Sequence, residues 1–118
     1  MDFSQLLRCH IKDGSVLVKS LSEDEMTAFH QFAQGADNAL LCRYARLLVC
    51  RGDSLRLLSL CKNRSVDVSR ICSRYLKTAV IRKDMIKRLS SEEDFIALYN
   101  DSCQVVQQAL IECLIWNK

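Results

Sequence analysis

The stretch that decides the fold is residues 65–81, which read SVDVSRICSRYLKTAVI. Its apolar side chains recur every three or four residues and so form one stripe along a helix: Val68, Ile71, Cys72, Tyr75, Leu76, Ala79 and Val80. The opposite side carries Arg70, Arg74 and Lys77, at spacings of four and three residues. This pattern predicts an amphipathic helix that buries one side and exposes a row of positive charge.

Helix signals of the same kind recur on both sides of this stretch. Capping residues and apolar periodicity predict further helices over 3–12, 23–34, 38–50, 54–61, 84–89, 92–99 and 103–116, with one more turn at 15–21. Ser22 and Glu25 have capping-box spacing, while Gly14, Gly35 and Gly52 stand just after predicted helix ends. The absence of proline and the presence of only three glycines favour helices joined by short connections.

Short polar side chains mark the predicted helix starts. Asp37, Asp53 and Asp84 each precede a predicted helix, and Asp101 or Ser102 is expected to cap the last one. A chain of 118 residues matches the usual size of one domain. We therefore predict an all-α fold in a single helical domain spanning 1–118. Its five to seven short helices would form a compact bundle or a short stack of helical pairs.

A shorter helix, a tight turn and a longer amphipathic helix follow one another three times, over 23–50, 54–81 and 92–116. The middle pair, 53–60 with 66–72, resembles HEAT-type α-helical repeats, in which a leucine-rich helix turns into one that opens with a Val-Asp-Val-Arg-like run. The resemblance covers about 30 residues, without the turn proline typical of that family. It implies a binding scaffold with an extended surface and names no partner.

Positive charge is concentrated in the middle of the chain. Residues 43–88 contain thirteen lysines or arginines and three acids, a balance of +10, whereas residues 1–42 and 89–118 carry −3 and −4. A concentrated positive surface attracts anionic partners. We therefore predict a basic binding surface made of Arg43, Arg46, Arg70, Arg74, Lys77, Arg82, Lys83, Lys87 and Arg88. In the alternative interpretation, these side chains are ordinary solvated helix faces, partly neutralised by the acidic ends.

Three functions fit this pattern. The leading one is a non-enzymatic adaptor or regulatory module whose basic surface docks an acidic partner protein. The alternative is a nucleic-acid-binding protein that places the same side chains on RNA or DNA phosphates. Base stacking is not indicated, because Tyr44 and Tyr75 lie on apolar stripes.

The third function is a helical subunit of a larger assembly, or a homodimer. The last predicted helix is apolar nearly all round, which is typical of a helix that is buried centrally or docked in an interface. Its candidate interface residues are Leu110, Leu114 and Trp116.

Signals for catalysis and metal binding are weak. His10 and His30 belong to no catalytic motif, and the chain has no phosphate-binding glycine loop, so we expect no enzyme and no catalytic residue. The seven cysteines have no C-x-x-C spacing, and we predict that they are reduced core residues. Adjacent Cys9 and His10 would diverge on a helix, so we expect no metal and no cofactor.

The remaining sequence features concern location and one familiar tripeptide. No stretch is apolar enough to span a membrane, and the N-terminus lacks the pattern of a secretion signal. We therefore expect an intracellular protein, cytoplasmic or nuclear. Arg51-Gly52-Asp53 resembles an integrin-binding tripeptide, but a helix end at Gly52 followed by a cap at Asp53 explains it.

Overall fold

A computed structural model of the chain describes residues 2–62, 66–78, 81, 83–84, 87 and 91–115. Within these residues it is all-α, with no strand and eight named helices: α1 (Phe3–Arg8), α2 (Ile11–Ser20), α3 (Glu23–Gln34), α4 (Asn38–Arg51), α5 (Ser54–Leu60), α6 (Val66–Leu76), α7 (Glu92–Asp101) and α8 (Gln104–Ile115). The predicted all-α class is confirmed. The predicted number of five to seven helices is too low, because the N-terminal segment forms two separate helices.

The first predicted helix divides at Cys9 and His10, and Gly14 does not end it. The backbone leaves the helical conformation at Cys9, and Nδ1 of His10 accepts a hydrogen bond from the N–H of Lys12 at 3.2 Å, which caps α2. Gly14 is buried inside α2, where a Cβ atom would lie 3.0 Å from Cδ2 of Leu47 in α4. The missing side chain therefore allows α2 to pack closely against α4.

Several predicted helix boundaries are confirmed by their hydrogen bonds. Ser22 and Glu25 form the capping box of α3, since each side chain accepts from the other residue's N–H, at 3.1 and 3.0 Å. Asp37 and Asp53 cap α4 and α5. Gly52 adopts a φ of 77°, the left-handed conformation that ends α4. A helix end followed by a helix cap therefore accounts for the local structure of the Arg51-Gly52-Asp53 tripeptide.

Helix α6 is shorter than its apolar pattern predicts. The periodicity extends to residue 81, but the helix ends at Leu76. The N–H groups of Lys77 and Thr78 donate to carbonyls three residues earlier, at 3.3 and 3.0 Å, and the Thr78 hydroxyl donates to the carbonyl of Tyr75. These tighter bonds satisfy the last carbonyls and close the helix.

Two predicted caps are wrong in the C-terminal half. Asp84 lies in helical backbone, and its carboxylate accepts a hydrogen bond from the hydroxyl of Ser54. Helix α8 begins after Cys103, whose carbonyl accepts the first helical bond, from Gln107 at 2.9 Å. Ser102 instead ends α7, where its buried hydroxyl donates to a carbonyl of that helix at 2.7 Å.

The helices pack in chain order around α4. The most extensive contacts in the described part of the chain join α6 to α8, α2 to α4 and α4 to α6, so the even-numbered helices lie side by side. Helices α1, α3 and α5 also contact α4, α5 contacts α6, and α7 contacts α8. The side chains of Leu41, Tyr44 and Leu48 in α4 are buried in one core with Phe29 and Leu57. Helix α4 is therefore the element that positions the others.

A partly buried histidine–tyrosine pair joins α3 to α4. The Tyr44 side chain is fully buried, and a hydrogen bond of 2.7 Å joins its hydroxyl to Nδ1 of His30. Burial lowers the pKa of His30 from its ordinary value of 6.5, and the Arg56 charge lowers it further against a smaller opposing effect of Asp53. The folded chain therefore favours the neutral imidazole.

We expect this pair to make stability depend on pH. Because the pKa of His30 is lower in the folded state than in the unfolded state, the unfolded chain binds more protons below about pH 6.5, and stability falls as pH decreases through that range. NMR titration of the His30 ring should show a pKa below 6.5, with His10→Ala used to assign the signals. A His30 pKa at or above 6.5 would contradict this account.

Candidate functional site

The basic residues of the central segment divide into an internal group and an exposed group. Arg51 belongs to the internal group: its Nη1 donates to the carbonyls of Val18 and Leu21, at 2.7 and 2.9 Å. Its Nη2 donates to the carboxylate of Glu23 at 3.2 Å. Arg51 thus satisfies carbonyls at the C-terminal end of α2 and fixes that end against α4.

Arg56 is held in the same cluster. Its guanidinium donates to the carboxylates of Asp53 and Glu23, at 2.6 and 2.9 Å. Hydrogen bonds from Arg56 and then from Arg51 lower the pKa of Glu23. The four side chains Glu23, Arg51, Asp53 and Arg56 form what we call the four-charge cluster, in which both positive charges are balanced within the fold.

Two lysines of the central segment also meet acids from the C-terminal segment. Lys77 pairs with Glu112 at 2.8 Å, and its hydrogen bond lowers the pKa of that carboxyl. Lys62 lies 4.0 Å from the carboxylate of Asp101, and both of these side chains are exposed. The acidic ends therefore neutralise part of the basic middle, as the alternative interpretation of the sequence expected.

Five residues of the predicted basic surface are exposed and form no ion pair within the described part of the chain: Arg46, Arg70, Arg74, Lys83 and Lys87. Arg43 is exposed too, but its guanidinium donates to the carbonyls of Leu7 and Cys9, at 2.5 and 2.7 Å. Predicted residues Arg82 and Arg88 lie outside the described residues.

The exposed arginines of α4 and α6 lie on two helices that pack side by side. Burial and the neighbouring Cys72 and Asp67 raise the pKa of Cys42, which places this side of α4 beside α6. Arg46 follows Cys42 by one helical turn, and Arg70 and Arg74 lie on the exposed side of α6. We call Arg46, Arg70 and Arg74 the basic ridge.

A cleft adjoins the basic ridge where the break between α1 and α2 faces α4. Its volume is about 240 Å³, and its lining consists of Leu6, Leu7, Cys9, His10, Ile11, Arg43, Arg46 and Leu47. The sequence pattern does not predict this cleft, because the predicted helix over 3–12 runs through Cys9 and His10 without a break. In the sequence, the adjacent Cys9 and His10 indicate only a poor metal site.

The predicted C-terminal interface is only partly described. Leu110 is fully buried, so its side chain is a core residue and not a surface that a partner can reach in this fold. Trp116 and the side chain of Leu114 lie outside the described residues. Among the described side chains of α8, the large apolar ones that are exposed are Val105 and Ile111, at 42% and 37%.

The described cysteines are free thiols, and Cys61 and Cys72 are buried. Burial raises the pKa of the Cys103 thiol, but hydrogen bonds from Ser69 and from the N–H groups at the start of α8 outweigh it, and the net pKa is lowered. In the described residues, no three His, Cys, Asp or Glu side chains form a group that could hold a metal ion. None of the described helices is both long and apolar enough to cross a membrane.

The division of the arginines predicts different effects on stability. Arg51→Met removes three hydrogen bonds and leaves two carbonyls without a charged donor, so the free energy of unfolding should fall by about 2–3 kcal/mol. The matched change Arg74→Met, on the exposed side of α6, should stay within about 0.5 kcal/mol. Urea unfolding of both variants measures the difference, and equal losses would contradict the division.

Comparison of the chain with protein-family models, with curated proteins and with solved structures gave no match. The resemblance of the middle pair to HEAT-type repeats therefore rests on the residues quoted for it and stays a prediction. Function has to be argued from the exposed surface itself.

Proposed function

We propose that this chain is a non-enzymatic interaction module that docks an acidic partner protein on the basic ridge. The observation that carries the proposal is the exposure of Arg46, Arg70 and Arg74 on neighbouring helices without a carboxylate partner in the described residues. Other arginines in the same segment form hydrogen bonds within the fold. Exposed guanidinium groups on neighbouring helices, with no ion pair among the described residues, attract anions.

The chemistry of the ridge favours carboxylates. Arginine presents a planar set of N–H donors that can hold a carboxylate through two parallel hydrogen bonds. Arg70 and Arg74 are separated by about 6 Å along the helix axis, since a helix rises 1.5 Å per residue. Two carboxylates one helical turn apart on a partner would match this spacing.

The packing order supports an interaction scaffold. Each even-numbered helix contacts the next, and the odd-numbered helices contact the layer that they form. We infer from this order a short stack of helical pairs, one of the two arrangements expected from the sequence, the other being a compact bundle. Such stacks present the exposed sides of successive helices as one continuous binding surface.

The surroundings of the ridge favour a protein partner over a nucleic acid. Asp67 lies on the exposed side of α6, and Lys77, near the other end of that helix, forms an ion pair with Glu112. A long phosphate backbone that follows the ridge would meet both carboxylates, whereas a short acidic protein segment fits between them. Tyr44 is fully buried and Tyr75 is half-buried, so neither ring is free for base stacking.

Charge reversal on α6 tests the proposal. Fluorescence anisotropy would follow a labelled peptide of 20 residues rich in Glu, Asp and Leu, and labelled RNA and DNA of similar length, at about 50 and 200 mM salt. We expect the peptide to bind and to retain more of its affinity at the higher salt than the nucleic acids. Arg70→Glu with Arg74→Glu should abolish peptide binding, because repulsion replaces attraction.

The matched control is Lys12→Glu with Lys19→Glu, which changes the net charge equally on the exposed side of α2. This pair should bind the peptide nearly as well as the unchanged chain. Tighter binding of RNA or DNA that is lost in the α6 variant would establish the nucleic-acid alternative instead. Equal losses in both variants would show only a net-charge effect and would overturn the assignment to the ridge.

A further inference from the structure

The cleft beside Arg46 has the features of a pocket for a single side chain. Leu6, Leu7 and Leu47 line it but are almost fully buried, and the half-buried Cys9 and Ile11 are its more accessible apolar residues. We propose that this cleft receives one bulky apolar side chain, aromatic or leucine, from the acidic partner. The inference rests on the proposed function and adds what determines the partner's specificity.

The size of the cleft limits its occupant. Its volume of about 240 Å³ exceeds the roughly 150 Å³ of a cavity known to hold a benzene molecule. It is smaller than the roughly 300–1,000 Å³ typical of pockets for drug-sized ligands and cofactors. The cleft therefore has room for one large side chain.

The positive charge at the mouth of the cleft indicates which residues of the partner flank the inserted side chain. The Arg43 guanidinium is fixed by its bonds to the carbonyls of Leu7 and Cys9, which use two of its five N–H groups. Arg46 is exposed, and no hydrogen bond joins its side chain to another described residue. Carboxylates on either side of the inserted side chain would meet these two guanidinium groups.

This arrangement matches the usual anatomy of a tight protein interface. An apolar anchor fills a pocket at the centre, and charged pairs at the rim orient the partner and exclude competitors. The cleft is continuous with the basic ridge, because Arg46 belongs to both. An acidic segment lying on the ridge therefore places a neighbouring side chain over the cleft.

Selection from a library of random displayed peptides, with the full chain as target, tests the inference without a known partner. We expect the enriched peptides to carry aromatic or leucine residues flanked by Asp or Glu. Ile11→Phe, which fills the cleft, should weaken the selected peptides by about tenfold or more. The control Leu17→Phe, at an exposed position of α2 outside this cleft, should leave their affinity unchanged.

A second measurement uses the unchanged chain and so does not depend on whether the Phe variant folds. In the unchanged chain, a selected peptide should shift the methyl NMR signals of Leu6, Ile11 and Leu47 and leave those of Leu55 and Ile96 unmoved. If the selected peptides are acidic but need no apolar residue, or do not cause these shifts, the assignment of the cleft as a side-chain pocket is wrong. The proposed function then stands. Enriched peptides that lack acids would overturn the proposed function itself, and with it the cleft.

Discussion

The attachment of Arg51 and Arg56 to Glu23 and Asp53 is the interaction on which the rest of the structure depends. Arg51 alone connects the C-terminal end of α2, the start of α3 and the end of α4. Asp53 caps α5 and also holds Arg56, so the next helix is fixed to the same point. The Asp53 side chain is only 8% exposed, so its negative charge depends on stabilisation by the charged donors around it. The four-charge cluster thus joins α2, α3, α4 and α5 at one point.

The same cluster decides which positive charges remain for a partner. A count along the chain assigns thirteen basic residues to the middle segment, but Arg51 and Arg56 have carboxylate partners within the fold and Lys77 has one on α8. Apart from Arg43, which donates to carbonyls, what remains exposed on α4 and α6 without an ion pair in the described residues is Arg46, Arg70 and Arg74. The acids beside them on α6 are the physical reason for proposing a compact acidic protein segment, because an extended polyanion gains more from a longer uninterrupted surface. In our proposal, the cleft would add an apolar contact to the basic ridge, whose charges alone would select partners only loosely.

The features that could be predicted from the sequence are those that depend on neighbours within about four residues. The capping box of Ser22 and Glu25, the glycine stop at Gly52 and the exposed side of α6 all follow from such local rules. The errors share a different cause. Gly14 is required by an approach of α4 from 33 residues away, and Arg51 meets Glu23 from a distance of 28 residues. Neither contact has a local signature, and so neither the internal arginines nor the cleft could be located before the helices were placed.

The arginines form two groups, one held by hydrogen bonds inside the fold and one exposed on the surface without an ion pair in the described residues. Nitrogen-detected NMR of the arginine side chains measures this property directly, because hydrogen-bonded guanidinium groups rotate and exchange their protons slowly. The account predicts slow rotation and exchange for Arg43, Arg51 and Arg56, which donate to carbonyls or carboxylates. It predicts fast behaviour for Arg46, Arg70 and Arg74 until an acidic partner is added. Fast exchange at Arg51 and Arg56, or slow exchange at Arg70 and Arg74 in the free chain, would contradict it.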